Sequence, residues 1–303
     1  MPQLKTQLGY YPDPLDLAAG DIRVTTLPDL EESVASVLGD PNVEGDWIYP
    51  GLRRQHVMGV GERDLPYPSR VFGLPMTHEI SHDNADGQVH LDFLVWALSF
   101  FAGMRLTTTE AGFVDAATIK PRKLIDFVLS PREYAGGLAL AEAFWQANKA
   151  HPIRAKRWIA AVHALFIAHW PQALQFERFI YLYGALDACF ALAKEFETPP
   201  SGLSHSARIG WMCGLFNMPV PAWAASATGS PAEVARIRNA TLHESLFMDA
   251  PLGFALHGVG TNQNLPLEME AVVCRLLVAL IGAPDKDYVR SAVTTRQMQG
   301  LDL

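Results

Sequence analysis

Residues 230–243 read SPAEVARIRNATLH, and the architecture of the second half of the chain turns on this stretch. Ser230 suits a helix N-cap, Pro231 suits the first helical position, and Glu233, three residues after the cap, completes a capping box. A helix started there turns about 100° per residue. With Val234 at zero, Ile237 falls at about 300°, Thr241 at about 340° and Ser245 at about 20°, a stripe that should be buried. Arg236, Asn239 and His243 share the opposite face, whereas Arg238 lands at about 40°, on the shoulder of the stripe. An unpaired guanidinium there is costly. Arg238 therefore needs a bundle acid such as Glu177 or Asp187, or a cavity to face.

The segments on both sides extend the helical reading. EYAGGLALAEAFWQAN, IRAKRWIAAVHALFIAHW and PQALQFERFIYLYGALDACFALAKEF form three long helical stretches between residues 133 and 196, separated by the His-Pro and Trp-Pro breaks. SHSARIGWMCGLF is a shorter helix, and LPLEMEAVVCRLLVALIG a last one, stopped by Gly282 and Pro284. LDFLVWALSFFAGM, from Leu91, is apolar on nearly every side, as a fully buried helix is, and Gly103 can end it.

The front of the chain reads differently. Its first 75 residues or so are rich in Pro, Gly and Asp, with DIRVTTL and SRVFGLP as short strands and LEESVASVLG as one helix. THEISHDNADGQVHLDF, 77–93, predicts a hairpin: a THEISH strand, a turn at Asp86-Gly87, and QVHLDF returning. The expected fold class is α+β, with a mixed or β-rich N-terminal domain over 1–130 and an all-α helix bundle over 131–303.

Composition narrows the function classes. A chain of 303 residues can bury a good core, and no apolar run reaches the length of a membrane span. The N-terminus lacks a basic stretch followed by an apolar core, so a soluble, cytoplasmic protein is expected. Cys189, Cys213 and Cys274 are odd in number and far apart, which fits buried reduced thiols. The net charge of −8 argues against a constitutive, sequence-blind nucleic-acid binder. That charge is unevenly spread: residues 1–110 hold 7 basic and 16 acidic side chains, whereas 120–157, KPRKLIDF through HPIRAKR, hold 8 basic and 3 acidic. The basic segment is either a solvated helix face or a track for phosphates.

His78 and His82 on one strand face, with His90 across the turn, are the candidate metal ligands, Asp83 being a possible fourth. The spacing matches no strong zinc template, and hydrated or stacked strand histidines explain it without a metal. DNADG, 83–87, lacks the bidentate glutamate of a calcium loop, since position 93 is Phe, and reads as a turn. HGVGTN, 257–262, has no preceding strand and no lysine, so it is a flexible loop and no phosphate cradle. No GxSxG occurs.

Arg238, Asn239 and His243, at the spacing R-N-x-x-x-H in a late helix of a C-terminal bundle, resemble the signature of the HEPN (higher eukaryotes and prokaryotes nucleotide-binding) family. The resemblance covers roughly residues 135–285 and does not reach the N-terminal domain. It implies a metal-independent endoribonuclease that uses the 2′-hydroxyl of RNA as nucleophile, with Arg238, Asn239 and His243 as catalytic residues and with no cofactor or metal. It implies assembly of the site from two copies of the motif across a homodimer, in a prokaryotic defence or toxin setting. The residue types suit that chemistry: histidine transfers a proton near neutral pH, arginine stabilises charge on the transition state, and asparagine orients either the histidine or the phosphate. On an ideal helix Arg238 and His243 diverge by about 140°, so two-fold pairing or a local distortion is needed to bring them together. The N-terminal domain is then expected to sense an unknown trigger ligand. The alternative is a catalytically inert HEPN-like sensor or a nucleotide- or partner-binding protein; a metal-dependent enzyme built on the N-terminal histidines is a third class.

Overall fold

The structure, a computed structural model, describes residues 3–45, 47–69, 71–108, 114–115, 117–118, 120–226, 230–246, 265–293 and 299–303. It is a mixed α+β protein. The chain divides into two compact units, Met1–Leu124 with Ser130–Ala139 and Ile125–Leu129 with Leu140–Leu303.

The first unit is organised around an antiparallel sheet in the order Thr107–Thr108, Leu4–Gly9, His78–His82, Ile22–Thr26, Leu17–Ala19. Its strands alternate as half-buried strands must: Ile22 and Val24 are buried and Arg23 is exposed. On the central strand His78, Ile80 and His82 face inward together. Helix α1 (Leu30–Leu38) follows the Ile22–Thr26 strand in sequence. Helix α2 (Gln88–Ala102) contacts the sheet and is buried on almost every side from His90 to Ala102. Gly103, in the left-handed conformation at φ 60°, closes its C-terminus, as expected from the sequence. Leu52–Val57 and Gly61–Pro68 form a separate two-stranded hairpin.

The hairpin expected over 77–93 is corrected. His78–His82 is a strand, but QVHLDF belongs to α2. Both edges of the strand are already taken, by Leu4–Gly9 on one side and Ile22–Thr26 on the other, so no returning strand can pair there. Leu91, Leu94, Val95 and Leu98 continue one helical apolar pattern through the supposed strand, and Gly87, at φ 142°, turns the chain into the helix.

Helix α3 (Tyr134–Asn148) starts in the first unit and ends in the second. The second unit is helical: α4 (Pro152–Ala168), α5 (Gln175–Ala193), α6 (Arg208–Leu215), α7 (Glu233–His243), α8 (Leu265–Leu280) and α9 (Asp287–Arg290). Pro152 sits at the start of α4, where its missing N–H costs nothing. Helices α4, α5 and α8 pack on one another, and α6 and α7 lie against α5. Trp158 of α4 is fully buried and donates its indole N–H to the Leu277 carbonyl of α8 at 3.1 Å. A short parallel pair, Phe127–Val128 with Gln299–Gly300, sets residues 299–300 beside the strand that precedes α3.

Arg275 and His169 inside this unit are paired with carboxylates. Arg275 of α8, 2% exposed, holds Asp126 at 2.6 Å and donates to Ser291, and the Tyr288 hydroxyl donates to the same carboxylate. His169 Nε2 meets Glu270 at 2.9 Å. The three cysteines are buried and unpaired with one another, and burial pushes the Cys213 thiol up to about 12. Among the described residues no helix is long and apolar enough to cross a membrane.

Candidate functional site

Helix α7 presents the faces expected of it, with a different start and stop. Val234, Ala235 and Thr241 are buried, Ile237 and Arg238 are half-buried, and Arg236, Asn239 and His243 are exposed. The capping box does not form. The N-cap is Ala232, without a side-chain cap bond, and Ser230 is exposed outside the helix. The first turn is anchored from another segment instead, since the Ala232 N–H donates to Ser206 Oγ, itself 2.7 Å from Ser226 Oγ. Ser245 leaves the expected stripe because the helix ends at His243, and Ser245 is exposed at φ 54°.

Arg238 takes neither of the acids expected for it. Glu177 accepts the Leu174 N–H at the start of α5, and Asp187 holds Arg208 at 3.0 Å. Arg238 instead donates through Nη1 to Asn239 Oδ1 at 3.0 Å and to His243 Nε2. Its Nε is buried with no hydrogen-bond acceptor among the described residues, and its guanidinium lies 5.9 Å from the centre of the Tyr183 ring. The divergence of Arg238 and His243 around an ideal helix calls for two-fold pairing or a local distortion to bring them together. A long flexible side chain closes that gap: five residues separate the two by only about 7.5 Å along the axis, and they touch within one chain. Among the described residues Asn239 bonds the arginine and not the histidine.

Three side chains that sequence reasoning passed over, Tyr183, His205 and Arg208, complete the surroundings with Asp187. Tyr183 and Asp187 sit one turn apart on α5, and His205 and Arg208 stand three residues apart at the entry to α6. Tyr183 Oη lies 3.5 Å from His205 Nδ1. Burial raises the Tyr183 phenol above its usual range, with Asp187 adding to the effect and the two arginines opposing it, so it remains protonated at neutral pH. Burial and then the positive charges of Arg208 and Arg238 hold His205 below the ordinary imidazole range, so its neutral form is favoured. The spacing of His205 and Arg208 in SHSAR was visible in the sequence, but nothing local says that this segment lies beside α7.

The basic stretch 120–157 makes no phosphate track where it enters α4. Arg154 donates to Asn148 Oδ1 at 2.8 Å and to the Glu195 carbonyl at 2.9 Å, and Arg157 donates to the Ala191 carbonyl at 2.9 Å and pairs with the Glu195 carboxylate. These are cations at the carboxyl end of α5, where exposed carbonyls and the helix dipole favour positive charge.

The N-terminal histidines are neither hydrated nor arranged across a hairpin. His78, His82 and His90 are 0%, 1% and 0% exposed. His90 comes from α2, and its ring centre lies 4.9 Å from that of His82. Their Nδ1 atoms accept backbone N–H groups, His82 from Asn84 at 2.9 Å and His90 from Asp86 at 3.3 Å. His78 turns its Nδ1 to Thr77 Oγ1 at 2.9 Å and stands edge-on to Tyr11. Asp83, the possible fourth ligand, pairs with Arg23 at 3.1 Å. DNADG is irregular chain between strand and helix, as expected of a turn, and HGVGTN lies outside the described residues.

No protein-family model matches the chain, and no curated protein or solved structure matches it either.

Proposed function

We propose that the protein is a metal-independent endoribonuclease of the HEPN type, with Arg238 and His243 as its reacting groups and a HEPN-like fold for the second unit. One observation carries the reading: on the exposed end of α7, Arg238 is bonded to both Asn239 and His243, so a cation and a proton-transfer group share one small surface. In the reaction the 2′-hydroxyl of RNA loses its proton to a base, and O2′ forms a bond to phosphorus. The P–O5′ bond breaks, and O5′ takes up a proton. Arg238 balances the charge gathered on the phosphoryl oxygens, Asn239 holds Arg238 in place, and His243 transfers a proton. The RNA partner, a homodimeric assembly, a cytoplasmic location and a role in prokaryotic defence or as a toxin belong to the same proposal.

The first unit fits a recognition or regulatory role. A cleft of about 580 Å³, lined by Asp40, Tyr49, Arg54, Asp64 and Ser69 among others, offers polar groups to a trigger ligand.

The test is cleavage of mixed RNA in EDTA by wild type and His243→Ala, with the ends mapped. His243 is exposed at the end of a helix, so its removal costs only about 0.5 kcal/mol of stability. Ends carrying 2′,3′-cyclic phosphate from the wild type alone are the expected result. Equal background from both, with the fold intact, refutes the nuclease and leaves an inert sensor or binding protein.

A further inference from the structure

Phosphodiester cleavage with O2′ as nucleophile needs two proton transfers, one from O2′ and one to O5′. His243 alone has to perform both in turn. Around Arg238 the fold gathers a second imidazole from a different segment, and it lies outside the R-N-x-x-x-H motif.

The geometry is a chain of contacts within the second unit. His243 Nε2 accepts from Arg238 Nη1; the Arg238 guanidinium faces the Tyr183 ring at 5.9 Å; Tyr183 Oη is 3.5 Å from His205 Nδ1. Arg208, three residues after His205, is fixed by Asp187 at 3.0 Å, and its Nε, like that of Arg238, is buried with no acceptor among the described residues. Arg238 and His205 thus adjoin the same tyrosine, His243 joins through Arg238, and the charge of Arg208 is met by the Asp187 carboxylate. An anion is the ligand such a surface favours.

We propose that His205 is a second catalytic histidine of this site, so that a single chain supplies both proton-transfer groups, His205 and His243, on either side of Arg238. This rests on the nuclease reading above. In the tautomer that directs Nδ1–H at Tyr183 Oη, the Nε2 lone pair of His205 accepts the 2′-hydroxyl proton, and burial, then the charges of Arg208 and Arg238, favours the neutral imidazole. When a phosphate takes the Arg238 guanidinium, His243 Nε2 is released from its present donor and takes up a proton from solvent. His243 then gives its proton to O5′ as the P–O5′ bond breaks. One proton is taken and one given, and the cyclic phosphate and 5′-hydroxyl account for every atom. Tyr183 is a positioning residue in this arrangement, since it acts through His205.

The experiment uses the full chain, RNA in EDTA, and single-turnover rates across pH for wild type, His205→Gln and His205→Asn, with circular dichroism to confirm folding. Loss of an acid–base group is worth about 10²- to 10⁴-fold. The expected result is a fall of at least about 10²-fold in both variants and loss of one limb of the pH–rate profile. Tyr183→Phe should move that limb while keeping measurable cleavage. Mixing the two inactive proteins, His205→Gln and His243→Ala, should restore nothing, because both groups are needed in the same chain. Wild-type protein that leaves RNA intact overturns the nuclease reading and this assignment with it. A His205→Gln protein that cleaves at the wild-type rate with an unchanged profile overturns this assignment alone, and activity regained on mixing overturns the single-chain site.

Discussion

Acid should loosen the sheet of the first unit through His78, and the size of the effect follows from its burial. The imidazole is fully buried, and burial lowers its pKa to about 4, an effect that Asp16 and a backbone hydrogen bond with Asp13 only partly offset. Thr77 Oγ1 accepts the Tyr11 N–H at 3.0 Å and lies 2.9 Å from His78 Nδ1. In the unfolded chain the group titrates at the ordinary value of about 6.5. Between pH 6.5 and pH 4 the unfolded state therefore binds a proton that the folded state refuses. Stability then rises with pH in this window and is lost as pH falls. A tenfold difference in proton affinity between the two states is worth about 1.4 kcal/mol, so the full loss is about 3 kcal/mol, of which about 2 kcal/mol appears between about pH 7 and pH 5. Urea unfolding at the two pH values, followed by hydrogen exchange of the Leu4–Gly9 and His78–His82 amides, measures it in wild type and His78→Phe. The variant loses the Thr77 bond at every pH, so only the change with pH is compared. All other titrations are common to both proteins and cancel. If wild type and variant weaken equally on acidification, His78 is not the group responsible and the reasoning fails.

The second unit should respond in the opposite sense. The Glu270 carboxylate outweighs burial and raises His169 above the ordinary imidazole range, so the pair contributes stability that is full below about pH 6.5 and is lost as pH rises through the folded pKa. Glu270→Gln should flatten the alkaline side of the stability–pH curve, read by urea unfolding of the second unit. In α3, Gly137→Ala would set a Cβ 2.5 Å from Cδ2 of the fully buried Phe101. Overpacking of about 1–3 kcal/mol opposes a helix-propensity gain of about 1 kcal/mol, and a lowered melting temperature is expected; an unchanged or raised one would mean that Phe101 gives way freely.

What the sequence made legible was periodic, and what it hid was tertiary. The helical pattern of α3, α4, α5 and α8 stood out because each carries more apolar surface than any alternative could bury, and the cysteines were buried as their isolation implied. QVHLDF misled because six residues fit both a strand and the first turns of a helix. The choice was made by the long apolar run behind it and by strands, far away in sequence, that already occupied both edges of His78–His82. The wet and dry faces of α7 follow from period alone, like those of the long helices, but its cap is supplied by Ser206, 26 residues away.

The candidate site divides along the same line. Arg238, Asn239 and His243 are neighbours on one helix, so their spacing could be read and their grouping inferred. Ideal-helix angles described where their Cβ atoms point and missed where a guanidinium can reach, which is why the spacing asked for a second copy or a local distortion. His205, Tyr183 and Arg208 belong to the site only because α6 and α7 both pack against α5, and no local pattern encodes that. Arg238 itself held the clue. Its place on the shoulder of a buried stripe demanded a partner, and the demand is met by an aromatic face, an amide oxygen and an imidazole nitrogen in place of a carboxylate. A guanidinium neutralised by a carboxylate would have little charge to offer a phosphate. Among the described residues the hydrogen-bond acceptors of Arg238 are neutral, and Asp187, the acid beside Tyr183 on α5, is committed to Arg208. That distribution of acids, more than the motif spacing, is what supports the proposal that an anion binds at this end of α7.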